Sequence, residues 1–376
     1  MTFFSLGKHK MNLKKLDPFL FVSIISFFVL LSSYSFKIQN SFVLAMITFF
    51  LMTSILSSVH HAEIIAEQVG EALGTLILAL SVTVIEVGLI ISLMSSQGPE
   101  ASYIARDTVF AAIMIVCNGI VGLSLILGGL RYKEQGFRVD GSASLLIVLI
   151  ALSALTFVLP SFTSTTKGPT YNTAQLIFVS ITCLVLYFIF ILFQNKTHKD
   201  YFESSNLGTQ SIEQTKTTDS DIKKSLPTIL THFVAMTLSL ISVIGLAKMI
   251  SPTLESFLID IGAPKATVGI IIAAIVLLPE TWAAVKAARE NRLQTSLNLA
   301  LGSGIASIAL TIPAVGLFSL LTEQDLALGL DGKGLVFLFT TFLIGGISLA
   351  SGKSTALQGF VHIVILASYF VLALIP

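Results

Sequence analysis

Two stretches, GTLILALSVTVIEVGLI at residues 74–90 and VGIIIAAIVLLPETWAA at 268–284, read as membrane helices except for one carboxylate in each, Glu86 and Glu280. An ionisable side chain at the centre of a bilayer costs on the order of 2.5–3.5 kcal/mol by insertion scales, so such residues mark ion or proton pathways. Counted from Thr75 and Val268 at 1.5 Å per residue, the acids lie about 16 and 18 Å into their helices. In a hydrocarbon core of about 30 Å, both fall near the middle.

The rest of the chain supplies the membrane context. Of its 376 residues, 54% are hydrophobic and only 11% charged, whereas soluble domains carry about 25% charged residues. Apolar runs predict an all-α polytopic membrane protein of eleven helices, near 18–35, 42–58, 73–95, 108–128, 143–160, 173–194, 228–250, 266–286, 294–321, 333–350 and 356–375. The N-terminal apolar run follows a basic segment but no small-residue cleavage site, so it reads as a retained first helix. Cys117 and Cys183 lie in separate apolar runs and read as buried thiols. A net charge of +1 points to no nucleic-acid partner; the partners expected are the lipid bilayer, inorganic cations and protons.

One long polar stretch, NKTHKDYFESSNLGTQSIEQTKTTDSDIKKSLP at 195–227, reads as a mobile linker. It separates a first five-helix half, 37–194, from a second, 228–376, with residues 1–36 forming a tail and an extra first helix. An odd number of helices per half turns the second half upside down relative to the first. Inverted halves are the architecture of many secondary transporters, with ion sites at the repeat interface. The acidic segments 74–129 and 268–316 occupy matching places, and the third helices, 115–129 and 299–313, set Asn118 against Ser303, one position off their end-to-end register. Of 22 lysines and arginines, sixteen fall on one side of the eleven-helix thread and six on the other. The positive-inside rule then places the N-terminus in the cytoplasm and the C-terminus outside.

Around the acids stand residues able to ligate a cation. Pro279 lacks an amide hydrogen and should break the eighth helix beside Glu280, freeing carbonyl oxygens of the kind that hard cations bind. Ser81, Thr83, Thr281 and Ser303 offer hydroxyls, and Asn118 an amide. Burial favours the neutral form of a carboxyl group, while a bound cation favours the charged form. Two such acids therefore let cation and proton compete for the same oxygens. On the cytoplasmic side, His61, Glu63, Glu67 and Glu71 in HHAEIIAEQVGE precede the third helix, the glutamates at i, i+4 spacing. They could form an acidic mouth that draws cations in.

Other chemistry is poorly represented. No HExxH occurs, and His9, His198, His232 and His362 show no metal-ligand spacing; His232 and His362 read as hydrogen-bonded core residues. GLDGKG at 329–334 is a turn, with no preceding strand to make a phosphate loop. A membrane hydrolase would lack its nucleophile and base, so no enzyme and no cofactor is expected. A cation channel could use the same acids, but a channel should show a charged ring or filter loop rather than an inverted pair.

The segments HHAEIIAEQVGEALGTLILALSVTVIEVGLI, RDTVFAAIMIVCNGIVG, NKTHKDYF and LLPETWAAVKAARENRLQTSLNLALGSGIASIALTIP resemble the cation/Ca²⁺ exchanger superfamily, and most the bacterial ChaA-type calcium (sodium, potassium):proton antiporter family. The resemblance runs from about residue 58 to the end. It implies an extra first helix with five-and-five inverted halves, a place in the bacterial inner membrane, and efflux of Ca²⁺, Na⁺ or K⁺ driven by protons. The family's ion-site acids carry over onto Glu86 and Glu280, and its polar third-helix positions onto Asn118 and Ser303. One departure bears on selectivity. Vacuolar-type members have Gly-Asn three to four residues before each acid, where this chain has Val82–Thr83 and Val276–Leu277. Ca²⁺ takes 6–8 oxygen ligands, so the missing amides bring Na⁺ and K⁺ forward as substrates.

Overall fold

The computed structural model describes residues 17–33, 41–69, 71–95, 102–202, 226–260, 262, 264 and 266–375. The basic tail 1–16 and most of the polar linker lie outside them. The described chain is almost entirely helical: α1 Pro18–Ser33, α2 Ser41–Val69, α3 Glu71–Met94, α4 Ile104–Met114 and α5 Val121–Tyr132, then α6 Val139–Ser153, α7 Thr173–Leu192 and the short α8 Lys199–Phe202. The second part holds α9 Leu226–Asp260, α10 Ala266–Val276, α11 Leu278–Arg289, α12 Leu293–Ala306, α13 Ile312–Thr322, α14 Gly332–Ala350 and α15 Ala356–Leu374. Each expected span, as far as it is described, overlaps helix. Among the described residues, eight helices are long and apolar enough to cross a bilayer, and the bent α10–α11 pair makes a ninth.

Two spans form the centre. Ile104–Tyr132, which joins α4 to α5, is 94% buried over its most apolar window, and Leu293–Thr322, joining α12 to α13, is 67% buried. The window of Thr173–Asn195 is only 28% buried and that of Ala356–Leu374 only 22%. The outer helices therefore present apolar stripes outward, such as Phe178, Ile181, Val185 and Phe188 on α7. In a membrane those stripes meet lipid, so exposure there is the expected state of an apolar face. Where α5 crosses α15 the backbones touch: a Cβ on Gly359 would sit 2.6 Å from the Gly122 carbonyl oxygen. Small residues permit that approach, as they do generally between membrane helices.

Each central span is wound into a π turn midway, Ile115–Ile120 in one and Ser307–Thr311 in the other. Such turns insert a residue into the helix and occur often at functional sites. They begin at Ile115 and Ser307, a spacing close to that between Glu86 and Glu280 and longer than that between Asn118 and Ser303. The Asn118–Ser303 pairing read from sequence is thus out of step with the turns, because short, similar apolar runs align almost equally well in several registers.

Loops gather at two ends. At one end Gln135–Gly136 pairs antiparallel with Lys353–Ser354, Gln135 donates to the Ala288 carbonyl, and the Arg138 amide donates to Gln294 Oε1. At the other, Ala327 bonds the Ser102 carbonyl, Leu328 that of Pro169 and Leu330 that of Phe157. The first end carries Arg131, Lys133, Arg138, Lys286, Arg289, Arg292 and Lys353. The linker also begins later than its composition suggests. Phe193–Thr197 extends α7 as a π turn, Arg138 bonds the Asp200 carbonyl, and Asn298 Nδ2 donates to the Phe202 carbonyl at 2.6 Å. Polar composition there reflects the end of the bundle, which water reaches, rather than a lack of structure.

Candidate functional site

Glu86 sits on α3, is 5% exposed, and points at the π turn of the second central span. Ser307 Oγ donates to its Oε1 at 2.6 Å and Thr311 Oγ1 to its Oε2 at 3.1 Å. Residues four apart share one face of a helix, so both hydroxyls face the carboxylate.

Glu280 is held differently. The eighth apolar stretch breaks at Leu277 and bends by 54°, with Pro279 in the first turn of the new helix α11. Glu280 lies in that same first turn, where unbonded amides and the helix dipole favour a negative charge. Its Oε2 is buried and has no hydrogen-bond partner among the described residues. A buried carboxylate oxygen with no donor is costly; a proton or a cation would satisfy it.

Both acids line one cavity of about 500 Å³, together with Thr83, Ser303 and Ser307. Further along its wall come Gln194, Thr295 and Asn298, which lead toward the basic end of the bundle. Glu63 is exposed on α2 and is not among the cavity's lining residues.

Several expected ligands lie elsewhere. Ser81 donates to the Ile77 carbonyl at 2.7 Å and to Met236 Sδ at 3.3 Å, because its position on α3 faces α9 rather than the cavity. Thr281 caps the Leu277 carbonyl at 2.7 Å and is absent from the lining. Asn118 belongs to a second buried network: its Nδ2 donates to Thr341 Oγ1 at 2.9 Å and its Oδ1 faces His362 Nδ1 at 3.2 Å. His362 in turn reaches Ser348. His61 is fully buried and faces His232 at 3.0 Å, so it forms no part of an exposed mouth. Glu71 begins α3 while Glu63 belongs to α2, so the two do not share one helix face. The side chains of Glu67 and Glu71 lie outside the described residues.

Sequence reasoning passed over Ser307 and Thr311. The available signal was a pair of hydroxyl residues four apart within SIALTIP, in an otherwise apolar run. It also placed no histidine in a ligand cluster, whereas Asp17, His61 and His232 converge. That convergence comes from the packing of α2 on α9 and has no short spacing in the chain.

The sequence matches the family described as "Sodium/calcium exchanger protein" over residues 39–196 and 231–375, both halves around the linker. The chain belongs to the sodium/calcium exchanger protein family. This exchanger is 41% identical over 339 residues to y4hA of Sinorhizobium fredii, whose name gives it as an ionic transporter, with 90% of each chain covered. It is 34% identical over 323 residues to the sodium-potassium/proton antiporter ChaA of Escherichia coli, with 85% of each covered. The solved structure of native YfkE superposes with a TM-score of 0.70 at 17% identity, covering 95% of this chain and 100% of that one; it shares the fold. The exchanger is therefore a multi-pass membrane transporter of inorganic cations, not an enzyme, and needs no cofactor.

Proposed function

We propose that this exchanger moves Ca²⁺, Na⁺ or K⁺ across a bacterial inner membrane in exchange for protons, with cation and protons competing for Glu86 and Glu280. The observation that carries the reading is the shared cavity: two carboxylates, one from each side of the linker, open to the same volume. In the described state one is held by hydroxyls and the other has one oxygen without a partner. A cation arriving between them would gain ligands from both acids, from Thr83, Ser303 and Ser307, and from water. Protonation of either acid would remove a charged ligand, which is the coupling that antiport requires.

The reading includes eleven spans, the first standing apart and halves 37–194 and 228–376 inverted relative to each other. The π turn in each central span, with Glu86 beside the second of them, supports the repeat. Loops bearing Arg131, Arg138, Arg289 and Arg292 meet at one end, which supports a cytoplasmic assignment for that end. The cavity would then open inward, and the C-terminus would lie outside. The name of ChaA supports Na⁺ and K⁺ as substrates, as does the lack of amide ligands ahead of each acid. No feature of the described residues favours the channel alternative.

The test is cation-driven proton movement in reconstituted vesicles at alkaline pH. Addition of Na⁺, K⁺ or Ca²⁺ should collapse an imposed pH gradient, and the Glu86→Gln and Glu280→Gln proteins should fail to respond. A wild-type protein indifferent to all three ions, or cation current without proton flux, would overturn the proposal.

A further inference from the structure

We propose that Asp17, His61 and His232 form a binding site for one divalent first-row transition-metal ion, separate from the transport cavity, that ties the first helix to the contact between α2 and α9. Asp17 stands just ahead of α1, His61 lies on α2 and His232 on α9. One ligand atom from each falls within 4.8 Å of the others. The facing atoms of the histidines are both Nδ1, 3.0 Å apart. Two nitrogens on one ion, each about 2.0–2.1 Å from it, stand roughly 2.9–3.4 Å apart at right-angled to tetrahedral geometry. As a metal-free pair, the same nitrogens could share only one hydrogen.

The surroundings are those that orient metal ligands. His61 Nε2 is 3.2 Å from Ser23 Oγ, and Asp17 Oδ2 is 2.8 Å from His60 Nε2. Ligating imidazoles and carboxylates are usually fixed by such outer hydrogen bonds. Beneath them Ser23, Ser57 and Ser239, again one residue from each of α1, α2 and α9, bond one another at 2.9–3.2 Å. The three elements are thus already pinned around the cluster. Two imidazoles and a carboxylate suit Zn²⁺ and its neighbours rather than Ca²⁺, Na⁺ or K⁺. Three protein ligands leave a position for water, and Asp17 and His60 are partly exposed, which gives an ion access. None of these residues lines the transport cavity.

The experiment uses the full chain carrying Glu86→Gln and Glu280→Gln, tag-free and purified in detergent, so that the cavity holds no carboxylate. Titration with Co²⁺ should give visible ligand-field absorption saturating at one ion per chain, bleached by one equivalent of Zn²⁺. His61→Gln, His232→Gln and Asp17→Asn should each weaken Co²⁺ binding at least about tenfold. Asp17→Asn keeps a helix-capping side chain at a partly exposed position, so a folded variant is secured even if a histidine change disturbs packing. Absence of saturable Co²⁺ binding in the parent, or unchanged affinity in Asp17→Asn and in whichever histidine variants fold, would overturn the proposal. Because the readout is binding without transport, its outcome is independent of the exchange reaction.

Discussion

Glu86 and Glu280 hold matching places in sequence but different ones in space. Glu86 is gripped by two hydroxyls from the opposite half of the chain. Glu280 stands at a fresh helix start with one oxygen unpartnered. The lesson is that equivalent acids need not be equivalent ligands in any one conformation. On the Glu86 side of the cavity both carboxyl oxygens are hydrogen-bonded, whereas on the Glu280 side one oxygen has no partner among the described residues. In an inverted repeat the roles would exchange when the opposite face opens, and that expectation can be broken by mutation.

The largest effects should come from the acids. Glu280→Gln and Glu86→Gln should each reduce exchange by at least about 100-fold in vesicles, since on the proposed reading either removes a carboxylate ligand of the cation. Full exchange in Glu86→Gln would reduce that residue to a structural acid and end the comparison. Next come the hydroxyls. Hydrogen bonds to a charged group contribute about 1.5–3 kcal/mol, so the Ser307→Ala, Thr311→Val double variant should lower exchange by about tenfold or more, read as a raised half-saturating cation concentration. An unchanged value would mean that the hydroxyls hold only the protonated acid.

A smaller effect is expected at the break. Pro279→Ala restores an amide that could bond back into α10, so the bend at Leu277 should relax and exchange should fall by about threefold to tenfold. Electron–electron distances between spin labels on α10 and α11 would read the angle directly. Asn118→Ala should act on stability instead: it takes one buried hydrogen-bond partner from each of Thr341 and His362, at about 1–3 kcal/mol, lowering the unfolding temperature with little change in apparent cation affinity. Ser81→Ala should leave exchange unaltered, since its hydroxyl faces Met236. A marked loss there would return Ser81 to the ion path.

Much of this was legible because membrane folding writes coarse features in one dimension. A bilayer forces apolar runs of fixed length, so the helices could be read from hydropathy, and a midplane acid stands out against such runs whatever surrounds it. Pro279 beside Glu280 marked a break by its missing amide alone. Ser81, Thr83, Asn118 and Thr281 were less legible. Each is a small polar residue in an apolar helix, and whether it faces an ion or caps a carbonyl depends on helix rotation. Hydropathy fixes that rotation poorly when every face is apolar.

The sequence by itself determined a helical membrane exchanger with two buried acids, because burial cost and hydropathy act locally along the chain. The tertiary structure alone decided who serves those acids. Ser307 and Thr311 meet Glu86 across 221 and 225 residues, and His61 meets His232 across 171. Such meetings depend on the register of one helix against another, which packing in three dimensions sets and no local pattern encodes.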